Sequence, residues 1–223
     1  MSPSSIPVIA IDGPTASGKG TVAQQVAEKL GFHYLDSGSL YRLTALAAQR
    51  QGVDLADASR VASIAANLQI AFREGKTLLG GHDVGDQIRT ESASQNASRV
   101  AALPTVREAL LRLQRDFRTH PGLVADGRDM GSVVFPDAVL KVYLTATAEA
   151  RAERRTKQLK EKGMSAIMSD VVKELRARDD RDMNRPVAPL KHYPDAYLLD
   201  TTGISADEAV EKILIRAQKS VGT

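Results

Sequence analysis

Short apolar runs bounded by turn residues alternate along this chain with segments whose apolar positions recur every three or four residues. Val8-Ile9-Ala10-Ile11-Asp12 opens the series as a buried strand. Beyond a glycine-bounded turn, Val22, Val26 and Leu30 share one helix face, and Gly31 supplies the stop. Residues 32–35 predict a second strand ending in the turn Asp36-Ser37-Gly38. Leu40, Leu43 and Ala47 predict a helix over about 39–51 closed by Gly52, and a further helix is expected over 57–66. From 67 to 90 the rhythm changes to alternation around glycine turns. Strands are expected at 68–72, 77–79 and 84–88, the first two joined by Glu74-Gly75-Lys76, as a small antiparallel meander. Helices are expected over 92–103 and, after a break at Pro104, over 105–120. Strands 123–125 and 138–144, helices 148–162 and 168–182, strand 196–200 and a last helix from Ser205 complete the series. Ser205 and Glu208 have capping-box spacing, with Val210, Ile213 and Leu214 on the buried face. Strands separated by helices predict an α/β fold with a parallel sheet, whose ligands bind beyond the strands' carboxyl ends.

The turn after the first strand carries the chemistry. Gly13-Pro14-Thr15-Ala16-Ser17-Gly18-Lys19-Gly20-Thr21 has the Gly-x-x-x-x-Gly-Lys form between a strand and a helix. Its glycines let backbone N–H groups converge on an anion, the helix N-terminus adds to that field, and Lys19 reaches the outer phosphates. Gly20 stands where a magnesium-binding Ser or Thr is expected, and the hydroxyl arrives one position later at Thr21. This Lys-Gly-Thr form resembles the nucleoside monophosphate kinases. No Asn-Lys-x-Asp guanine-reading segment occurs, so the expected triphosphate is ATP.

Composition narrows the setting. The chain has 223 residues, 43% of them apolar, which suits one domain with insertions. Without cysteine there is no disulfide framework, thiol nucleophile or thiolate metal site. The first seven residues lack the basic and apolar regions of a leader, and no run reaches membrane-spanning length, so a cytoplasmic protein with no membrane partner is expected. The net charge of +3 is local: residues 151–185 hold 11 Lys or Arg against 7 Asp or Glu. A nucleic-acid surface calls for more positive charge and more aromatics, so none is expected; a polyphosphate needs only a patch.

The loops after the other strands supply further candidates. Asp36 to Arg42 follow the second strand, and Asp126-Gly127-Arg128-Asp129-Met130-Gly131 follow the next core strand. Asp126, closing an apolar strand, is placed either to hold Mg²⁺ through its waters or to cap a turn. Arg42 and Arg128 suit bidentate recognition of a second phosphate. Arg151 with Arg154 or Arg155 is expected on one helix face, and Arg178, Arg181 and Arg185, spaced by three and four, on one face with Asp182. Such faces are either solvated surface or a lid that closes over the transferring group. His33, His82, His120 and His192 lack metal-ligand spacing.

With these residues quoted, the chain resembles the bacterial-type cytidylate kinases over nearly its whole length. The segments that carry the likeness are 13–21, Leu-Asp-Ser-Gly-x-x-Tyr-Arg at 35–42, Val-Arg-Glu-Ala-Leu-Leu at 106–111, Ala-Asp-Gly-Arg-Asp-Met-Gly at 125–131 and Arg-Asp-Asp-Arg-Asp-x-x-Arg at 178–185. The resemblance implies a single P-loop kinase domain over 1–223 with a five-stranded parallel sheet. Within it, 67–110 would be the monophosphate-binding insertion and 150–185 a helical lid. It implies phosphoryl transfer from Mg·ATP to CMP or dCMP by a monomer. Ser37, Ser98, Arg107, Asp129 and Arg185 resemble the cytosine pocket, and Arg178 and Asp182 the ribose contacts. Tyr41, Arg42 and Arg128 resemble contacts to the acceptor phosphate, and Arg154 a lid arginine; Lys19, Arg128 and Arg154 would be the catalytic set. Ala16 departs from the glycine, and Ser132 from the threonine, that relatives often carry. Acceptors such as AMP, UMP or shikimate, and a non-catalytic ATP-binding role, are the alternatives.

Overall fold

The computed structural model describes residues 6–73, 75–161, 163 and 165–221. Glu74 of the expected turn, the helix end at Lys162 and the first five residues of the opening segment lie outside the described residues. The chain forms two compact units, Met1–Leu35 with Phe117–Thr223, and Asp36–Asp116.

The first unit is built on a five-stranded sheet, β1 (Val8–Asp12), β2 (His33–Asp36), β6 (Leu123–Gly127), β7 (Leu140–Thr145) and β8 (Tyr197–Asp200), in the order β2-β6-β1-β7-β8. β1 lies at the centre, parallel to β6 and β7, with Asp12 beside Gly127 and Tyr143. Val8 to Ile11 are wholly buried, which is why that run is apolar without alternation. Helix α1 (Lys19–Leu30) and helix α9 (Ala206–Val221) cover the sheet through Val22, Val26, Val210 and Ile213. Gly31 takes a left-handed conformation at φ 65° and ends α1. The capping box of α9 forms: Ser205 N donates to Glu208 Oε2 at 2.8 Å, and Glu208 N to Ser205 Oγ at 3.2 Å. Helices α7 (Ala148–Glu161) and α8 (Met168–Asn184) share a small apolar cluster of Ala152, Val171 and Leu175, on which Ala16 also packs.

The second unit holds α2 (Ser37–Arg50), α3 (Ala58–Ala66), α4 (Gly85–Ile88), α5 (Glu91–Ala101), α6 (Pro104–Asp116) and an antiparallel sheet of β3 (Ile70–Arg73), β4 (Lys76–Leu79) and β5 (His82–Asp83). Three sequence-based expectations are corrected in this unit. The segment 84–88 is not a strand: Asp83 Oδ1 accepts from Gly85 N at 3.0 Å and turns the chain into α4, with Val84 and Ile88 buried one turn apart. The expected turn at 36–38 is the start of α2, capped by Asp36, whose Oδ1 accepts from Ser39 N at 3.1 Å. Pro104 opens α6 rather than breaking a helix, as its missing N–H allows at a first position, and α6 ends at Asp116, short of 120.

Candidate active site

The phosphate loop is shaped by close approach and by two left-handed residues. A Cβ on Gly13 would lie 2.0 Å from the Leu144 carbonyl oxygen of β7, so only glycine lets the loop leave β1 at this point. Gly18, at φ 89°, precedes α1 and turns the first helical N–H groups into the loop. Ala16 sits at φ 56°, which explains why glycine is common there and shows that alanine adopts the same turn at a strain of about 1–2 kcal/mol. Lys19 Nζ donates to Pro14 O at 3.4 Å, folded back over the loop. Ser17 is buried, and its hydroxyl has no hydrogen-bond partner among the described residues. A buried hydroxyl beside converging N–H groups fits a polyphosphate oxygen.

Two arginines of α7 hold the outside of this loop. Arg151 Nη1 donates to Thr15 O at 3.0 Å and pairs with Asp179 Oδ2 of α8 at 2.7 Å, both side chains being buried. Arg154 Nη1 donates to Ser17 O at 3.2 Å and to Thr201 Oγ1 at 3.1 Å, and its Nη2 donates to Thr201 O. Beside Arg154 a cavity of about 260 Å³ opens between the start of α1 and residues 201–209, lined by Gly18, Thr21, Gln158 and Ile204. The sequence reading missed this wall. Residues 201–206 follow the last strand, so the same carboxyl-end rule that singled out residues 126–131 points to them. A larger open cavity of about 540 Å³ in the second unit, between Ala47, Ile64, Leu79 and His82, contains none of the expected site residues.

The carboxyl end of β6, which includes Asp126, and the loop after it carry the next group. Asp126 is buried, one strand over from the phosphate loop, and accepts from the Tyr34 hydroxyl at 2.6 Å. Among the described residues no three His, Cys, Asp or Glu cluster as metal ligands. A cation at Asp126 would have to draw its remaining ligands from phosphate and water, which suits Mg²⁺. Past Arg128 the chain forms a π-helical turn, Met130–Val134, which the sequence did not predict. Asp12 Oδ1 and Oδ2 accept from Met130 N at 2.8 Å and Gly131 N at 2.9 Å. Burial pushes the Asp12 carboxyl up to about 6 against the opposing hydrogen bond from Gly131, and neighbouring Asp129 adds to the rise.

The expected acceptor residues of the first unit meet one another. Arg128 Nε donates to Asp182 Oδ2 at 2.7 Å, and Arg185 Nη2 lies 3.5 Å from Asp129 Oδ1. Burial acts against both charges of the Arg128–Asp182 pair. Their mutual attraction outweighs it, raising the arginine's pKa and lowering the carboxyl's. The face expected for Arg178, Arg181 and Arg185 with Asp182 is not formed: Arg178 is half-buried, Arg181 faces solvent, and Arg185 lies just past the end of α8, where the backbone is extended. In the second unit, Ser37, Tyr41, Ser98 and Arg107 are buried. Ser37 Oγ donates to Gln114 Oε1 at 2.8 Å, the Arg107 guanidinium lies 5.8 Å from the Tyr41 ring centroid, and Arg42 Nη1 donates to Ile88 O at 2.9 Å.

A family model described as cytidylate kinase matches residues 9–219. The chain is 54% identical over 214 residues to a cytidylate kinase of Nitrosomonas europaea, with 96% of each chain covered. It is 58% identical over 209 residues to one from Chromobacterium violaceum, with 94% of each covered. Among solved structures, a gluconokinase from Sinorhizobium meliloti has a TM-score of 0.50 at 13% identity, covering 96% of this chain and 93% of that one. An uncharacterized protein from Eubacterium ventriosum has a TM-score of 0.52 at 12% identity, covering 94% and 97%. These two share the fold alone. The family model and the relatives span nearly the whole sequence, and the chain belongs to the cytidylate kinase family.

Proposed function

We propose that this protein transfers the γ-phosphoryl group of ATP to CMP or dCMP, giving ADP and CDP or dCDP. The observation that carries the donor half is the phosphate loop with its unpartnered, buried Ser17 hydroxyl and the adjoining cavity. Loop residues 13–21 take the triphosphate, and the cavity beside Arg154 takes the nucleoside. Lys19 follows the phosphoryl group in flight, and Asp126 holds Mg²⁺ through water. When bound, that ion would supply positive charge to offset the charge of the triphosphate.

The acceptor is read by Ser37, Ser98, Arg107, Asp129 and Arg185 at the base, Arg178 and Asp182 at the ribose, and Tyr41, Arg42 and Arg128 at the phosphate. The acceptor oxygen is already ionised at neutral pH, so the reaction needs no general base. The work is alignment of two anions, electrostatic stabilisation of the transferring group and exclusion of water. Residues 67–110 form the monophosphate-binding insertion, and 150–185 the lid that brings Arg154 to bear. A cytoplasmic monomer is the working form. No helix among the described residues is long and apolar enough to cross a membrane.

ADP release from Mg·ATP is to be measured across CMP, dCMP, UMP, AMP and shikimate. CMP and dCMP are expected to give the highest kcat/KM. Higher turnover with any of the other three would overturn the acceptor assignment, and no acceptor-dependent ADP release would overturn the kinase reading.

A further inference from the structure

Gly20 leaves a gap where phosphate loops of the commonest form place a serine or threonine hydroxyl on the metal. The structure fills the neighbourhood of that gap from a different element. A Cβ built on Gly20 would have one neighbour within 4 Å beyond its own helix backbone and flanking residues: the Tyr34 hydroxyl, at 3.6 Å. Tyr34 stands in β2, its ring packed on the core cluster that includes Val22 and Val26. From there its hydroxyl reaches Asp126 Oδ1 at 2.6 Å, joining residues 92 apart in sequence.

We propose that Tyr34 is a positioning residue for the divalent cation of the donor nucleotide, its hydroxyl replacing in space the one that position 20 lacks. The inference rests on the reading that Asp126 holds that cation through water. A phenol is protonated at neutral pH and has a single proton to donate. Committed to the Asp126 carboxylate, that proton fixes the rotation of the carboxylate. A phenol oxygen is also an acceptor, and metal-bound waters are donors that need acceptors. The half-buried ring, packed against the core cluster, brings this hydroxyl to the start of α1 from outside the loop. Groups that orient a metal's immediate partners commonly change its affinity by about 10–100-fold. Action through water places the effect here at the lower end.

The test is Mn²⁺ binding, followed by electron paramagnetic resonance, to the full-length protein saturated with a non-hydrolysable ATP analogue. Tyr34→Phe keeps the ring in its packing and removes only the hydroxyl. The expected result is an Mn²⁺ dissociation constant raised about 10-fold. Affinity for the analogue in EDTA should stay within about 2-fold, since without a cation the Asp126 carboxylate that the hydroxyl holds has no metal to orient. Adding Gly20→Ser to the Tyr34→Phe variant returns a hydroxyl from the loop side, and recovery of Mn²⁺ affinity there supports the spatial replacement. Asp126→Asn separates the two readings. If it loosens Mn²⁺ while Tyr34→Phe does not, the inference about Tyr34 is wrong. If neither loosens Mn²⁺, the assignment of Asp126 falls and the inference falls with it. Equal weakening of metal-bound and metal-free nucleotide by Tyr34→Phe would show a merely structural role and also overturn it.

Discussion

Replacing Asp12 with asparagine removes a half-buried, desolvated charge that two backbone N–H groups hold in place. The native carboxyl releases its proton near pH 6, against 3.8 for an ordinary aspartate. Between those values the folded state binds more protons than the unfolded state, so this group's contribution to stability falls as pH rises and is fully lost above about 6. A rise from 3.8 to about 6, at about 1.4 kcal/mol per pH unit, sets a ceiling of about 3 kcal/mol on that loss. Asparagine does not titrate, but its amide offers one acceptor oxygen to two donors, which leaves the Met130 or Gly131 N–H unpaired at about 1–3 kcal/mol. The variant is therefore expected to be the less stable protein at pH 4 and to close the gap, or reverse it, by pH 7. Urea unfolding of both proteins at several pH values across that window, followed by circular dichroism, measures the difference directly. A stability difference that stays constant within about 0.5 kcal/mol from pH 4 to pH 7 would refute the reasoning, because it would mean that Asp12 does not titrate differently on folding.

Lys19→Met removes a charge from the transition state while the loop N–H groups remain, and kcat is expected to fall at least ~100-fold in a steady-state ADP-release assay. Arg154→Ala, which also frees the Ser17 and Thr201 carbonyls, should lower kcat more than it changes the CMP dissociation constant; a pure loss of CMP affinity would move Arg154 to the acceptor side. Ionised Asp129 only accepts hydrogen bonds and suits the amino group of cytosine, so Asp129→Asn should narrow the kcat/KM ratio of CMP over UMP by ~10-fold or more. Equal losses with both substrates would mean that Asp129 serves only to hold Arg185.

What the sequence disclosed and what it withheld follow from how local each signal is. β1, the phosphate loop and α1 are contiguous, and their apolar run, glycines and four-residue spacing are all visible within 8–31. The α9 cap was legible for the same reason, since Ser205 and Glu208 are three residues apart. The segment 84–88 reads as a strand because a five-residue stretch with apolar ends suits either state, and the Asp83 side chain that tips it into α4 acts through a single hydrogen bond. The π-helical turn at Met130–Val134 depends on Asp12, 118 residues from Met130 along the chain. The ties from Arg151 and Arg154 to loop carbonyls likewise join segments about 136 residues apart, and a pattern of basic residues on one helix does not reveal its partners. One signal was available and unused. Asp12 is an ionisable residue closing an apolar strand, as Asp126 is, and that position marks both alike.

The position of β1 at the centre of its sheet has a consequence for the order in which the molecule assembles. β1 leaves the ribosome before the other strands of its sheet, yet Val8 pairs with Leu123, and Ile9 also with Leu140. Its backbone groups have no sheet partner until just over half of these residues have been made. The unit Asp36–Asp116 is continuous in sequence and is complete before either partner of β1 has been made. Local contacts close early because the entropy lost in forming a loop grows with its length. The segment that holds Ser37, Ser98 and Arg107, proposed to read the acceptor, can therefore fold as a unit while the phosphate loop still waits. A nascent chain stalled near residue 117 would carry a folded insertion preceded by an apolar strand in search of a sheet, the species from which aggregation during synthesis starts.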